Sequence, residues 1–265
     1  MRMAEVDDAT AWALDRAFSK IARWQERNEQ EAPAPQPGSD LAADDVATAY
    51  LQTSHVVATH FAYAVDHLNA LRALIVDAKL VPMGAPFTLL RSALENACAV
   101  VWLLGPDEPR TRALRRLRSG LADAKDSTDV SDLTGWTGGR SLSERRQDIV
   151  DMAARSGISD QELGTRPIGY GTIVQQATEH LKPGLPVLLL WKGCSGITHG
   201  RQWALVTMQK MEPEGEQADG VGTYKTTAGL PSIASALHVI THVVEVGYQL
   251  HDRRRLHSRE HKPKS

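Results

Sequence analysis

The chain has 265 residues, 42% of them hydrophobic and 5% aromatic, and 30 basic side chains stand against 32 acidic ones for a formal charge of -2. That is apolar material for one globular domain, or one domain with an appendage, and it excludes a whole-molecule field that would recruit nucleic acid or an anionic membrane. Any such partner has to be met by a local patch.

Two cysteines, Cys98 and Cys194, lie in apolar stretches, as expected of reduced core thiols in a cytoplasmic protein. The acidic start, residues 1–8, does not read as a signal peptide. The longest uninterrupted apolar run, residues 97–104, is less than half of the ~20 residues that cross a bilayer, so no membrane span is expected.

Ala11, Leu14, Phe18 and Ile21, with Trp12 and Trp24 beside them, recur at helical spacing and predict an amphipathic helix within residues 1–29. Pro33, Pro35 and Pro37 end it, giving a linker over 30–40. A tethered apolar helix of this kind can dock on a second copy, so a homodimer through the N-terminal helix is expected. Asp40 can cap the following segment. From Leu41 to Lys79 no Gly or Pro interrupts Val46, Tyr50, Val57, Phe61, Val65, Leu68, Leu71 and Ile75, which predicts one helix of roughly ten turns.

Pro82 and Gly84 break the chain, Pro86 opens a helix and Gly105-Pro106 closes it. Apolar residues cover almost the whole circumference between them, so this helix is expected at the buried centre. Pro109 opens an arginine-rich helix reaching about Ser127, and Ser141 with Glu144 has capping-box spacing for another that stops near Gly157. Short helices are expected over 170–181 and 186–191, with the backbone loosened by Gly193-Cys194-Ser195-Gly196 before His199. Residues 204–210 and 222–227 flank an acidic, Gly-rich stretch that reads as a hairpin or a loop. Pro231 starts the last helix. The scheme is an all-α bundle of seven to eight helices over residues 41–258, with a basic tail at 259–265.

Four groups of residues carry candidate chemistry. Arg91 and Glu95, four apart on the most apolar helix, are either a structural ion pair or a pair lining a cleft, because an unpaired buried ion costs several kcal/mol. His199 lies in Ser195-Gly196-Ile197-Thr198-His199-Gly200-Arg201, where a helix break can bring backbone amides and an imidazole to an opening. Arg110, Arg112, Arg115, Arg116 and Arg118 form a basic run, either a solvated face offset by Asp107, Glu108, Asp123 and Asp126 or a phosphate-binding surface. His238, His242 and Glu245 fall at i, i+4 and i+7, with His60 and His67 on an earlier helix; two helical His supply half of a tetrahedral shell, and no metal or other cofactor is expected.

The combination of residues 90–97 (Leu-Arg-Ser-Ala-Leu-Glu-Asn-Ala), Val101-Trp102-Leu103-Leu104 with the arginine-rich helix, and residues 195–200 before Trp203-Ala204-Leu205 resembles an uncharacterised all-helical family of high-GC bacteria. More distantly it resembles HEPN-like helical domains, several of which are RNases of defence or toxin systems, over about residues 44–250. The nuclease signature of that group, an Arg followed after four to six residues by a His on a late helix, is missing upstream of His199. Arg254 and Arg255 have His261 at that spacing, in a tail that reads as too polar for a core helix. The resemblance implies a helical protein that binds or cleaves RNA, with His199 as general acid/base, Arg91 on a phosphate, Glu95 orienting Arg91, and Arg115, Arg116 and Arg201 on the backbone. The alternative is a non-catalytic helical module in which Arg91, Glu95 and His199 line a polar pocket for a small molecule or a protein partner.

Overall fold

The computed structural model describes residues 7–30, 33–136, 138–218 and 221–256. The expected basic tail at 259–265, His261, the chain start at 1–6 and linker residues 31 and 32 lie outside the described residues.

The architecture is all-α. Eleven α-helices are described: α1 (Asp8–Glu29), α2 (Asp40–Thr48), α3 (Thr53–Arg72), α4 (Ala85–Leu104), α5 (Pro109–Thr134), α6 (Leu142–Arg155), α7 (Asp160–Leu163), α8 (Tyr170–Ala177), α9 (Val187–Thr198), α10 (Gln202–Met208) and α11 (Leu230–Arg255). The described strands are β1 (Lys210–Ala218) and β2 (Val221–Thr227), antiparallel, with Lys210 opposite Thr227 and Glu214 opposite Thr223. The acidic stretch is therefore a hairpin, and α10 occupies residues expected to extend it.

Two compact units share the chain. The first comprises Met1–Glu31, Phe61–Cys98 and Leu181–Glu245; the second comprises Ala32–His60, Ala99–His180 and Val246–Ser265. In the first, the apolar stripe of α1 is already covered. Leu14, Ala17 and Ile21 are buried, Lys20 Nζ lies 2.6 Å from Glu245 Oε2 on α11, and Asn28 donates to the carbonyl of Phe61. That is the face the sequence assigns to a second subunit.

The single long helix expected over 41–79 is broken, in the second unit after Thr48 and in the first after Arg72. Ala49–Leu51 form a 3-10 turn and Ala49 takes φ +32°, while a π-helical turn, Ala73–Asp77, follows α3. The break has a local cause in short polar side chains that compete for backbone groups. Thr48 Oγ1 donates to the carbonyl of Asp44, and Asp45 Oδ1 accepts from the Ser54 amide, capping α3. Val46 and Tyr50 consequently face solvent, 81% and 87% exposed, instead of continuing an apolar stripe. Leu51 packs against the cluster of Leu117, Ile149, Met152, Ile158 and Leu163. Asp40 is not the cap of α2; Ser39 is, its hydroxyl accepting from the Ala42 amide.

The capping box at Ser141 and Glu144 forms as expected, and Ser159 with Glu162 repeats it at α7. Helix α5 runs to Thr134, past the expected end, and closes on Gly135 at φ +67°. Helix α4 is heavily buried in both units it crosses, with Leu90 and Leu94 in the first and Val100, Val101, Leu103 and Leu104 in the second fully buried. Both α4 and α11 are long and apolar enough, by length and composition, to cross a membrane, although no uninterrupted apolar run suggests it; 67% and 61% of their most apolar windows are buried within the protein, as in the core helices of a bundle.

Candidate functional site

Arg91, Glu95 and His199 converge in the first unit. Thr88, Arg91 and Glu95 occupy i, i+3 and i+7 of α4 and so share one face. Opposite them stands α9, which does not stop at Trp191 as the sequence suggests but runs through its glycines to Thr198. Thr88 Oγ1 lies 3.5 Å from Thr198 Oγ1, Arg91 Nη1 lies 3.4 Å from His199 Nε2, and Trp191 Nε1 donates to Glu95 Oε1 at 2.8 Å. Thr88 pairs with Thr198 and Glu95 with Trp191, so α4 and α9 run antiparallel here, with His199 just past the end of α9.

The glycines explain how α9 reaches this position. A Cβ on Gly196 would stand 2.5 Å from the Ala204 Cβ and 2.9 Å from Trp203, and one on Gly193 would stand 2.9 Å from Met208 Sδ, so both glycines permit the close approach of α10. Gly200, at φ +63°, then reverses the chain in a Schellman motif: its amide bonds Ile197 O, and the Arg201 amide bonds Gly196 O. This corrects one expectation. The amides of His199, Gly200 and Arg201 are all spent on carbonyls of the last turn, so they are not free to point at a ligand. What the turn presents is side chains.

Their ordering runs inward to outward. Glu95, with 13% of its side chain exposed, accepts from Trp191 and from Arg91 Nε at 2.9 Å through the same Oε1. Arg91, 23% exposed, is thereby held with Nη1 directed at His199, which is itself exposed together with Thr88 and Thr198. A carboxylate anchored by an indole thus fixes a guanidinium, whose Nη1 stands 3.4 Å from Nε2 of the exposed His199. Arg91 and Glu95 form the ion pair that their i, i+4 spacing allows, with His199 at its outer end. Trp191 was missed by sequence reasoning. Its signal is its position seven residues before Thr198, legible only once α9 is known to continue through Gly193 and Gly196.

Neither cysteine takes part. Cys98 and Cys194 are buried free thiols; burial raises both pKa values, that of Cys194 to about 12, so they remain protonated.

Arg115 and Arg116, assigned by the resemblance to phosphate binding, point into the second unit. Arg115 Nη1 donates to Trp102 O at 2.6 Å and contacts His180 Nε2 at 3.4 Å, with its guanidinium 5.5 Å from the Trp102 ring centroid. Arg116 is 8% exposed, and burial draws its guanidinium down to about 10. Arg112 is bound by Asp44, and Arg110 by Glu162 and the Gly157 carbonyl. The basic run is largely an internal frame. Arg254, which looked too polar for a core helix, is likewise buried at the end of α11, bonded to Asp40, Asp107 and the carbonyls of Leu104 and Pro106. Arg201 remains exposed, two residues from His199.

The histidines considered for metal do not assemble. Glu245 is held by Lys20, His67 stacks on Tyr63 and His238 lines a groove beside α1; among the described residues, no three His, Cys, Asp or Glu side chains converge to hold an ion. Comparison of the chain with protein-family models, with curated proteins and with solved structures finds no match.

Proposed function

We propose that the protein binds RNA at the Arg91–His199 couple of its first unit and that His199 serves there as general acid/base. One observation carries the reading: the 3.4 Å approach of Arg91 Nη1 to His199 Nε2, made by residues 108 apart and fixed from behind by Glu95 and Trp191. A phosphodiester needs a donor for its non-bridging oxygens and a group that exchanges protons near neutral pH, and guanidinium and imidazole supply these. Arg201 adds a second cation next to the ring in sequence.

The HEPN-like resemblance agrees with this assignment in residue types, with Arg and His contributed by two helices instead of one. The site residues in this reading are His199 as acid/base, Arg91 on phosphate, Glu95 and Trp191 as positioning residues, and Arg201 on the backbone. Arg115 and Arg116 have no part in it.

The test is binding of a labelled single-stranded RNA at low salt, by fluorescence anisotropy, followed over hours for cleavage. Binding that falls in Arg91→Ala, with cleavage lost in His199→Ala, supports the proposal. Neither binding nor cleavage in the unaltered protein ends it. The second reading, a non-catalytic module for a small molecule or a protein partner, is favoured by Glu95, whose carboxylate already offsets the Arg91 charge. RNA binding that depends on Arg91 without any cleavage would remove only the acid/base role of His199, and the absence of RNA binding leaves the second reading.

A further inference from the structure

Of the five arginines that open α5, Arg110, Arg112 and Arg115 are hydrogen-bonded, while Arg116 and Arg118 each keep a buried Nε without a partner among the described residues; of these two, Arg118 lines a pocket. Its Nε is buried and has no hydrogen-bond partner among the described residues, and no ion pair of Arg118 is described. A guanidinium N–H withdrawn from water without an acceptor is costly, so its surroundings are informative.

Those surroundings are a pocket of about 210 Å³ in the second unit. Arg118, Leu121 and Lys125 lie at i, i+3 and i+7 on α5, Leu142 and Arg146 at i and i+4 on α6, and the loop from Leu163 to Pro167 after α7 adds Thr165 and Arg166. Four cations and no carboxylate line it.

Two of the four are already paired with acids outside the lining. Lys125 Nζ bonds Asp129 at 2.5 Å, and Arg146 bonds Asp160 and the carbonyl of Gly164. Arg118 and Arg166 have no carboxylate partner among the described residues. The uncompensated charge is therefore close to that of two guanidinium groups, which matches one dianion. Three leucines, Gly164, Thr165 and Pro167 form the rest of the lining, and a partly apolar wall strengthens each charge–charge contact relative to open water. No aromatic side chain is present for base stacking. The volume is below the ~300–1,000 Å³ that encloses a drug-sized ligand, which suits a head group better than a whole nucleotide.

We infer that the second unit holds a phosphomonoester site in which Arg118 and Arg166 bind the phosphate dianion of a small phosphorylated molecule, with Lys125, Arg146 and the Thr165 hydroxyl around it. Guanidinium groups meet phosphate oxygens with paired N–H donors, and an orphaned Arg118 Nε gains an acceptor when the anion enters. The site is separate from the Arg91–His199 couple and stands or falls without it.

Calorimetric titration of inorganic phosphate into the full chain, at pH 7.5 and fixed ionic strength, tests the inference. The expected result is saturable binding with one phosphate per chain, weakened about tenfold or more in Arg166→Gln and in Arg118→Gln, the scale of one lost charge-assisted contact. Arg166 is exposed, so its variant reports on binding even where Arg118→Gln folds poorly. Arg155→Gln, an exposed arginine at the end of α6 outside the lining, is expected to bind as the parent does. Dimethyl phosphate, a diester monoanion, is expected to bind at least tenfold more weakly than phosphate. The inference is overturned by the absence of saturable binding, by equal binding in Arg166→Gln, by equal affinity for dimethyl phosphate, or by displacement of phosphate with an RNA that lacks terminal phosphates.

Discussion

Replacing Asp44 by alanine strands the Arg112 guanidinium. Arg112 is 1% exposed and Asp44 2%, and they are joined by a two-pronged contact, Nε to Oδ2 at 2.7 Å and Nη2 to Oδ1 at 3.0 Å. Nη1 is separately held by the carbonyls of Pro106 and Asp107 at 3.0 and 2.8 Å. The substitution therefore removes both prongs and leaves an uncompensated cation that water cannot reach. Each lost charge-assisted bond is worth ~1.5–3 kcal/mol, and removing one partner of a buried pair costs ~3–5 kcal/mol in all. At roughly 2–4 °C per kcal/mol for a chain of this size, the midpoint of thermal unfolding should fall by about 10 °C. Far-UV circular dichroism during heating measures it, with urea unfolding as the second probe. The double variant Asp44→Leu with Arg112→Met should recover part of the loss, because no charge is then stranded. It should not recover all of it, because the Asp107 carbonyl loses its Arg112 donor at ~1–3 kcal/mol, while the Pro106 carbonyl keeps Arg254 Nη2 at 3.0 Å. A drop of less than about 1 kcal/mol in Asp44→Ala would refute the reasoning, since Arg112 would then be solvated or paired elsewhere.

Gly196→Ala gains up to ~1 kcal/mol in helix propensity but drives a methyl into the buried Ala204, so a net loss of about 1–2 kcal/mol is expected, together with weaker RNA binding as the His199 turn shifts; an unchanged melting temperature would contradict it. Burial and the neighbouring Arg115 hold the His180 pKa below its usual 6.5, and the Ser159 amide with Arg110 holds Glu162 at about 2. Both folded values lie below their unfolded ones, so their contributions are complete above the unfolded pKa and lost as pH falls: that of His180 on going below about 6.5, that of Glu162 between about 4.5 and 2. NMR titration of the two side chains checks the order. Chelator treatment should leave the melting curve unchanged, because His238, His242 and Glu245 are not brought together with a further ligand; a fall in melting temperature together with release of stoichiometric metal would overturn that.

Local chemistry fixed what neighbouring residues can settle among themselves. Proline at the start of α5, the capping box of α6, and glycines that terminate helices or permit positive φ were legible because each satisfies backbone groups within a few residues of itself. The all-α class and the burial of α4 were legible for the same reason, through apolar periodicity. The candidate pair Arg91 and Glu95 and the candidate His199 were visible one by one from their residue types. That they meet was not, because the contact joins positions 108 apart and depends on α9 continuing through two glycines that, read locally, loosen a helix. The arginines of α5 show the converse. In sequence they are one basic run; in the structure their fates are set by acceptors as far away as Asp44 and Glu162, leaving Arg118 as the member that lines an uncompensated pocket. Charge and periodicity are written in the order of residues, but which charge is cancelled depends on partners that only the folded chain brings within hydrogen-bonding distance.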